Sequence, residues 1–149
     1  MRTIAELVRL DPIEAAEKVL EAHRERTEWL DEFAEALDRR RSGRMLHRIL
    51  AVWGLNQSEA ADLFGVARQA VSKWLDRGVP AERAEAIAEL AAATDLLVRH
   101  VKRDRIPAVV RRPAAALGGK SLVELAGASR PHDVLEACRS MFDFERVHA

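Results

Sequence analysis

Arg68, Gln69, Ser72 and Lys73 recur at spacings that bring them onto one face of a helix. Their shared chemistry is hydrogen bonding to nucleic-acid bases. A glutamine amide matches the edge of adenine, arginine or lysine matches the acceptors of guanine, and a serine hydroxyl serves either. Val71, Trp74 and Leu75 fall between them at helical spacing and supply an apolar face. The pattern predicts a helix over about 68–76 whose N-terminal half is free to enter a major groove. Gln57 stands at the start of the preceding helix, where a side-chain amide and backbone N–H groups can hold a phosphate. Arg44 ends the basic run 39–44, which can touch phosphates without reading sequence.

The neighbouring residues are suited to hold these groups. Asn56 can cap a helix, and Glu59 completes a capping box. Gln57 to Phe64 then form a short helix with Ala60, Ala61, Leu63 and Phe64 as apolar positions. Ala61 is small enough for two helices to cross there. Gly65 permits the left-handed turn that ends the first helix, Val66 fills the turn, and Gly78 and Pro80 stop the second. The plainer reading is a helical hairpin with a glycine corner. The whole resembles the helix-turn-helix of Xre-type (Cro/repressor-like) regulators, on Gln57, Ala61, Gly65, Val66, Gln69, Val71, Ser72 and Trp74. Ala67 departs from that pattern, which has Ser or Thr there; the missing cap costs roughly 1 kcal/mol locally.

The chain of 149 residues has room for one domain or two small ones. Ala, Leu, Glu and Arg dominate and β-rich stretches are absent, which predicts an all-α fold. The formal net charge is zero, yet the charges are segregated. Residues 1–38 carry a balance of −6, residues 39–112 one of +7, and residues 113–149 one of −1. A basic middle is the electrostatic footprint expected of DNA binding. Cys138 is the only cysteine, so no intrachain disulfide can form. The N-terminus has no apolar signal region and no apolar run is long enough to span a membrane, so the expected location is the cytoplasm and no membrane partner is expected.

Before the helix-turn-helix, Thr3 to Leu10 can form a short helix. Asp11 caps a second one with Pro12 at its first position, and nothing obvious breaks it before Arg40. Ile13, Ala16, Leu20, His23, Thr27, Leu30, Ala34 and Leu37 make a heptad-like stripe along it, widened by Trp29 and Phe33. Such a helix either pairs with its counterpart in a homodimer or packs back on its own core. The run 39–44 reads as a basic break, and Met45 to Trp53 as a supporting helix. Ala81 to about Arg103 should close the core behind the helix-turn-helix. The expected domains are an N-terminal helical extension, 1–43, the DNA-binding domain, 44–104, and a C-terminal module, 105–149.

The C-terminal module carries the second signal. Gly118-Gly119 is a turn that glycine satisfies cheaply, and Ser121 can cap a short helix, with Glu124 three residues on. A final helix is expected over His132 to Phe142, with Cys138 on its apolar face. Gly118-Gly119-Lys120-Ser121 is not a phosphate loop: Ala114 stands where that motif needs its first glycine, and no strand precedes it. The histidines do not fall at metal-ligand spacing and no catalytic constellation stands out, so neither an enzyme nor a cofactor is expected.

Pro113, Leu117, Gly118, Gly119 and Leu125 instead resemble the C-terminal domain of Xre/MbcA/ParS antitoxins. Val109-Val110 stand where Trp-Leu is usual, Ala114 replaces Asn and Leu122 replaces Pro. The two resemblances, in the family's order, cover about residues 44–149. They imply an antitoxin of a type II toxin–antitoxin system that represses its own operon. Its partners would be double-stranded operator DNA and a toxin with a RES domain, an enzyme that consumes NAD. The resemblance places the toxin contacts in the turn (Leu117, Gly118, Gly119, Lys120), the last helix and the tail. Phe142 and Phe144 would anchor the interface, and Arg146 and His148 would enter an acidic pocket. The other reading is a stand-alone regulator whose C-terminal module only mediates oligomerisation.

Overall fold

Helix is the regular structure throughout residues 3–148, which the structure, a computed structural model, describes, with side chains through Asp143. No strand forms among the described residues; an isolated bridge joins Ala114 to Lys120. The all-α expectation is met. The chain divides into two units, residues 1–38 and 39–149.

The first unit contains α1 (Ile4–Leu7), α2 (Pro12–Ala22) and the start of α3 (Thr27–Trp53). Asp11 accepts a hydrogen bond from the Ile13 N–H at 2.9 Å, and Pro12 opens α2 as expected. The single helix expected from Asp11 to Arg40 is not formed. α2 ends at His23 and α3 begins at Thr27. The two polar members of the heptad-like stripe mark this turn. His23 stacks flat on Trp29 across it, with ring centroids 3.6 Å apart, and Trp29 stacks on Phe33 at 5.1 Å. In a continuous helix, residues six apart point away from one another, so the stack requires the turn.

The basic break expected at 39–44 is also absent: α3 runs through it to Trp53. Ser42 and Gly43 are small because another backbone crosses there. A Cβ on Gly43 would lie 3.1 Å from the Trp74 carbonyl oxygen and 3.2 Å from Gly78 Cα. Beyond Trp53 come α4 (Gln57–Phe64), α5 (Arg68–Arg77), a 3-10 turn at Ala81–Arg83 and α6 (Ala84–His100). Then follow α7 (Ile106–Arg111), α8 (Leu122–Gly127) and α9 (Pro131–His148).

One apolar core serves this second unit. Leu46 and Trp53 of α3, Val71 of α5, Ile87 and Leu97 of α6, Val110 of α7 and Val134 of α9 are all fully buried in it. The expected modules 44–104 and 105–149 share that core. α9 lies along α6, and α8 packs on α4, α7 and α9. A buried polar pair stitches α3 to α6. The Trp53 indole N–H donates to Thr94 Oγ1 at 2.9 Å, and the Thr94 hydroxyl donates to the Leu90 carbonyl at 2.7 Å. Cys138 is buried as expected, and burial pushes its thiol up to about 11. Among the described residues no helix is long and apolar enough to cross a membrane.

Two glycines with positive φ separate strain from crowding. Gly65 has φ +64 and nothing within 4 Å of a built Cβ, whereas Gly78 has φ +111 and the Arg39 carbonyl oxygen at 2.5 Å. Gly65→Ala should lower stability by about 1 kcal/mol, the left-handed cost alone. Gly78→Ala adds a backbone clash and should cost well over ~2 kcal/mol. Urea denaturation of the two variants reads the difference; equal losses would mean that the crossing yields.

Candidate nucleic-acid interface and C-terminal turn

α4 begins as its sequence dictates. The Asn56 side chain accepts from the Glu59 N–H at 2.8 Å, and Glu59 accepts from the Asn56 N–H at 3.2 Å. α4 ends in a Schellman turn: the Val66 N–H reaches the Ala61 carbonyl and the Gly65 N–H the Asp62 carbonyl. α5 follows without a side-chain cap, because Ala67 has no acceptor to offer. Val71 and Trp74 are buried beneath it, and Arg68, Gln69, Ser72 and Lys73 are all exposed. Phe64 meets Trp74 edge-on at 5.7 Å. Arg83, not singled out in the sequence, lies over the Trp74 ring at 5.2 Å and donates to the Phe64 carbonyl at 3.0 Å. A cation on that face steadies the Trp74 ring.

The C-terminal end of α5 is held by α3. Arg40 donates to the Asp76 carbonyl at 3.2 Å and His47 to the Leu75 carbonyl at 3.1 Å. The Val79 N–H bonds the Arg39 carbonyl at 3.3 Å. Gln57 is half-buried at the start of α4. It lines an open groove of about 570 Å³ with His47, Asn56, Ser58 and Arg68. Arg44 is exposed on α3, one turn before His47. His47 and Ser58 had no signal in the sequence beyond their neighbours, since their place depends on how α3, α4 and α5 converge.

Arg111 also escaped the sequence reading. Its guanidinium donates to the Trp53 carbonyl (2.9 Å), the Gly54 carbonyl (2.6 Å) and Glu59 (3.2 Å). It therefore caps the end of α3 and braces the capping box of α4. Glu59 is held below the usual carboxylate range, first by the Asn56 N–H, with burial opposing and Arg111 reinforcing.

At the C-terminal turn, Gly118 and Gly119 have φ +68 and +80, and neither would crowd a Cβ. Conformation alone demands glycine there. The turn closes through the Ala114 N–H to the Lys120 carbonyl (3.1 Å) and the Gly119 N–H to the Ala114 carbonyl (3.0 Å). Ser121 caps α8 by accepting from the Glu124 N–H at 3.1 Å. Leu117 is half-buried and Lys120 exposed. Leu117 and Gly118 border a groove of about 400 Å³ whose other wall is α9, with Arg130, Asp133 and Glu136. Phe142 does not belong to an exposed surface. It is buried and stacks on His100 of α6 at 4.4 Å, so it anchors α9 to the core and cannot anchor a partner. The side chains of Phe144, Arg146 and His148 lie outside the described residues. Among the described residues no group of three His, Cys, Asp or Glu side chains could hold a metal ion.

No known family's sequence profile matches the chain, and no curated protein matches it. Among solved structures, a chain of the M. tuberculosis MbcT–MbcA toxin–antitoxin complex is similar, with a TM-score of 0.55 and 21% identity. The likeness covers 66% of this chain and 91% of that one. It establishes a shared fold.

The depressed carboxyl of Glu59 has a signed consequence. Such a group stabilises the fold above its unfolded pKa and ceases to as pH falls through its folded value. Glu59→Gln should therefore be less stable than wild type at neutral pH, and the two denaturation curves should converge on the acid side of the carboxylate range. The gap should be small, since the ion pair with Arg111 is solvent-screened. A gap that persists in strong acid would assign the loss to packing instead.

Proposed function

We propose that the chain is an antitoxin that represses its own operon. In this reading it binds double-stranded operator DNA through α5, as a homodimer on a palindromic site. It sequesters a RES-domain toxin through its C-terminal turn and tail. The observation that carries the DNA half is the exposed set Arg68, Gln69, Ser72 and Lys73 above the buried Val71 and Trp74. Gln69 and Arg68 would read base edges, with Ser72 and Lys73 beside them. Gln57 and Arg44 would meet phosphates, and His47 and Ser58 extend that set along the groove. The toxin half is supported by the fold shared with a chain of a toxin–antitoxin complex and by the motif around Gly118-Gly119. Its contacts would be Leu117, Gly118, Gly119 and Lys120, together with Phe144, Arg146 and His148 of the tail. The chain acts in the cytoplasm by binding, with no catalysis and no cofactor of its own.

The burial of Phe142 favours a second reading. It makes α9 part of the core and removes one expected toxin contact, which leaves the reading of a stand-alone regulator whose C-terminal module only mediates oligomerisation.

Copurification of the tagged chain from its native cells, with bound protein and DNA identified, tests the two readings. A toxin in the eluate supports the first; DNA alone supports the second. Gln69→Ala and Lys73→Ala should each weaken operator binding by roughly 5- to 100-fold, as for the loss of one good base contact. Their folding should be unchanged, because both side chains are exposed. Unchanged affinity in both variants would mean that α5 does not read the operator. Deleting residues 143–149, which spares Phe142, should release toxin inhibition while leaving DNA binding intact.

A further inference from the structure

We infer that the corner formed by the end of α6 and by α7 is a second contact for the DNA backbone, where Arg99, Lys102, Arg103, Arg105 and Arg112 meet phosphates outside the bases that face α5. This deepens the DNA half of the proposed function and rests on it.

The positive charge of the second unit is not centred on the helix-turn-helix. Residues 39–95, which include α4 and α5, carry nine basic and seven acidic side chains, a balance of +2. Residues 96–112 carry six and one, a balance of +5. Most of the basic excess therefore gathers at the α6–α7 corner. Of its six cations, Arg111 is engaged with the Trp53 and Gly54 carbonyls and with Glu59. The other five are exposed and take part in no ion pair among the described residues. Arg99 suits the C-terminal end of α6. Arg103 and Arg105 stand just before the first turn of α7, the end of a helix at which cations are disfavoured. The fold itself gives them no partner, whereas a polyanion would.

Position and composition select DNA as that polyanion. α7 lies against the turn that opens α4: a Cβ built on Gly54 would be 3.1 Å from the Pro107 ring, and Arg111 reaches Gly54 and Glu59. The same turn leads into Gln57, the proposed phosphate contact of α4, so the corner continues that edge. Arg105, Ala108 and Arg112 are exposed at spacings of three and four, which puts them on one side of α7. The small Ala108 between the two guanidinium groups leaves room for a phosphate backbone to approach. An acidic protein would need apolar surface to bury as well, and residues 39–143 expose only Met141 as a large hydrophobic side chain.

Salt titration of duplex binding by the full chain tests the contact. The probes are the DNA upstream of the chain's own gene and a random duplex of equal length. Each phosphate contact contributes about 0.9 to the slope of log affinity against log salt. Lys102→Gln/Arg105→Gln/Arg112→Gln should lower the slope by about 2 to 3 and weaken binding to both duplexes by the same factor. Gln69→Ala should instead reduce the preference for the upstream duplex and leave the slope as it was. Helical circular dichroism and melting should be unchanged in the triple variant. If its melting falls, Lys102→Gln alone, which lies outside every helix, should still lower the slope by about 1. An unchanged slope in a folded variant, with the wild type binding the upstream duplex, overturns the inference and leaves the DNA reading standing. A loss confined to the upstream duplex would mean that the corner acts through base reading, which also overturns it. A wild-type chain that binds neither duplex overturns the DNA reading and the inference with it.

Discussion

The close approach of α3 to the end of α5 is the constraint on which the second unit depends. At Gly43 and Gly78 the two backbones meet with no side chain between them. The approach lets α3 serve groups that a helix end leaves unsatisfied. The carbonyls of Leu75 and Asp76 have no partner further along α5, and His47 and Arg40 supply donors. In return the Arg39 carbonyl accepts the Val79 N–H. These bonds fix the rotation of α5 about its own axis as well as its position. A turn of one residue, about 100°, would carry Gln69 toward the core and bring Val71 out. The exposed polar face is thus decided at the opposite end of the helix from most of its members.

The start of α4 is fixed from another direction. Gly54 turns the chain with φ +67, and a Cβ there would press on the Pro107 ring at 3.1 Å. Arg111, one turn further along α7, covers the carbonyls that this tight turn leaves open and reaches Glu59. Residues that read in sequence as the opening of a separate C-terminal module therefore hold the helix that presents Gln57. Thr94 does similar work inside, where an unpartnered Trp53 indole would be costly. The C-terminal helices and the helix-turn-helix are parts of one packed body because of such bonds, and not only because their apolar faces coincide.

The helix-turn-helix was legible because its signals are local. A capping box at Asn56 and Glu59, a left-handed glycine at Gly65 and an amphipathic period over α5 each determine their neighbours, and α4 has the bounds expected. The exposure of Arg68, Gln69, Ser72 and Lys73 followed from the same period. What failed depended on contacts distant in sequence. Ser42-Gly43 looks like a linker when read locally, but is the small surface of a helix crossing. The turn at 23–26 has neither glycine nor proline; it closes through the Arg26 N–H to the His23 carbonyl, and the stack of His23 on Trp29 spans it. Phe142 looked like an interface aromatic because its burial depends on His100, far back in the chain. Arg111 and His47 were invisible for the same reason: their partners are main-chain carbonyls, which carry no residue signature.

The two short helices end differently, and the difference bears on what they can meet. α4 is closed at both ends, by the Asn56 box and by the Gly65 turn. α5 is closed at its C-terminus and along its buried side, while Ala67 leaves its first turn without a side-chain acceptor. An isolated helix of that length would not persist, so its order comes from Val71, Trp74 and the α3 crossing. The first N–H groups of α5 are then spared from internal bonding beside Arg68 and Gln69. In the proposed complex that end of α5 approaches the DNA, where the uncapped donors and the partial positive charge of the helix terminus favour a phosphate. A serine at position 67 would stabilise the free protein and compete for the same donors. In the proposed complex Ala67 would therefore leave donors free at the DNA-facing end of α5, whose order rests on its other, firmly held end.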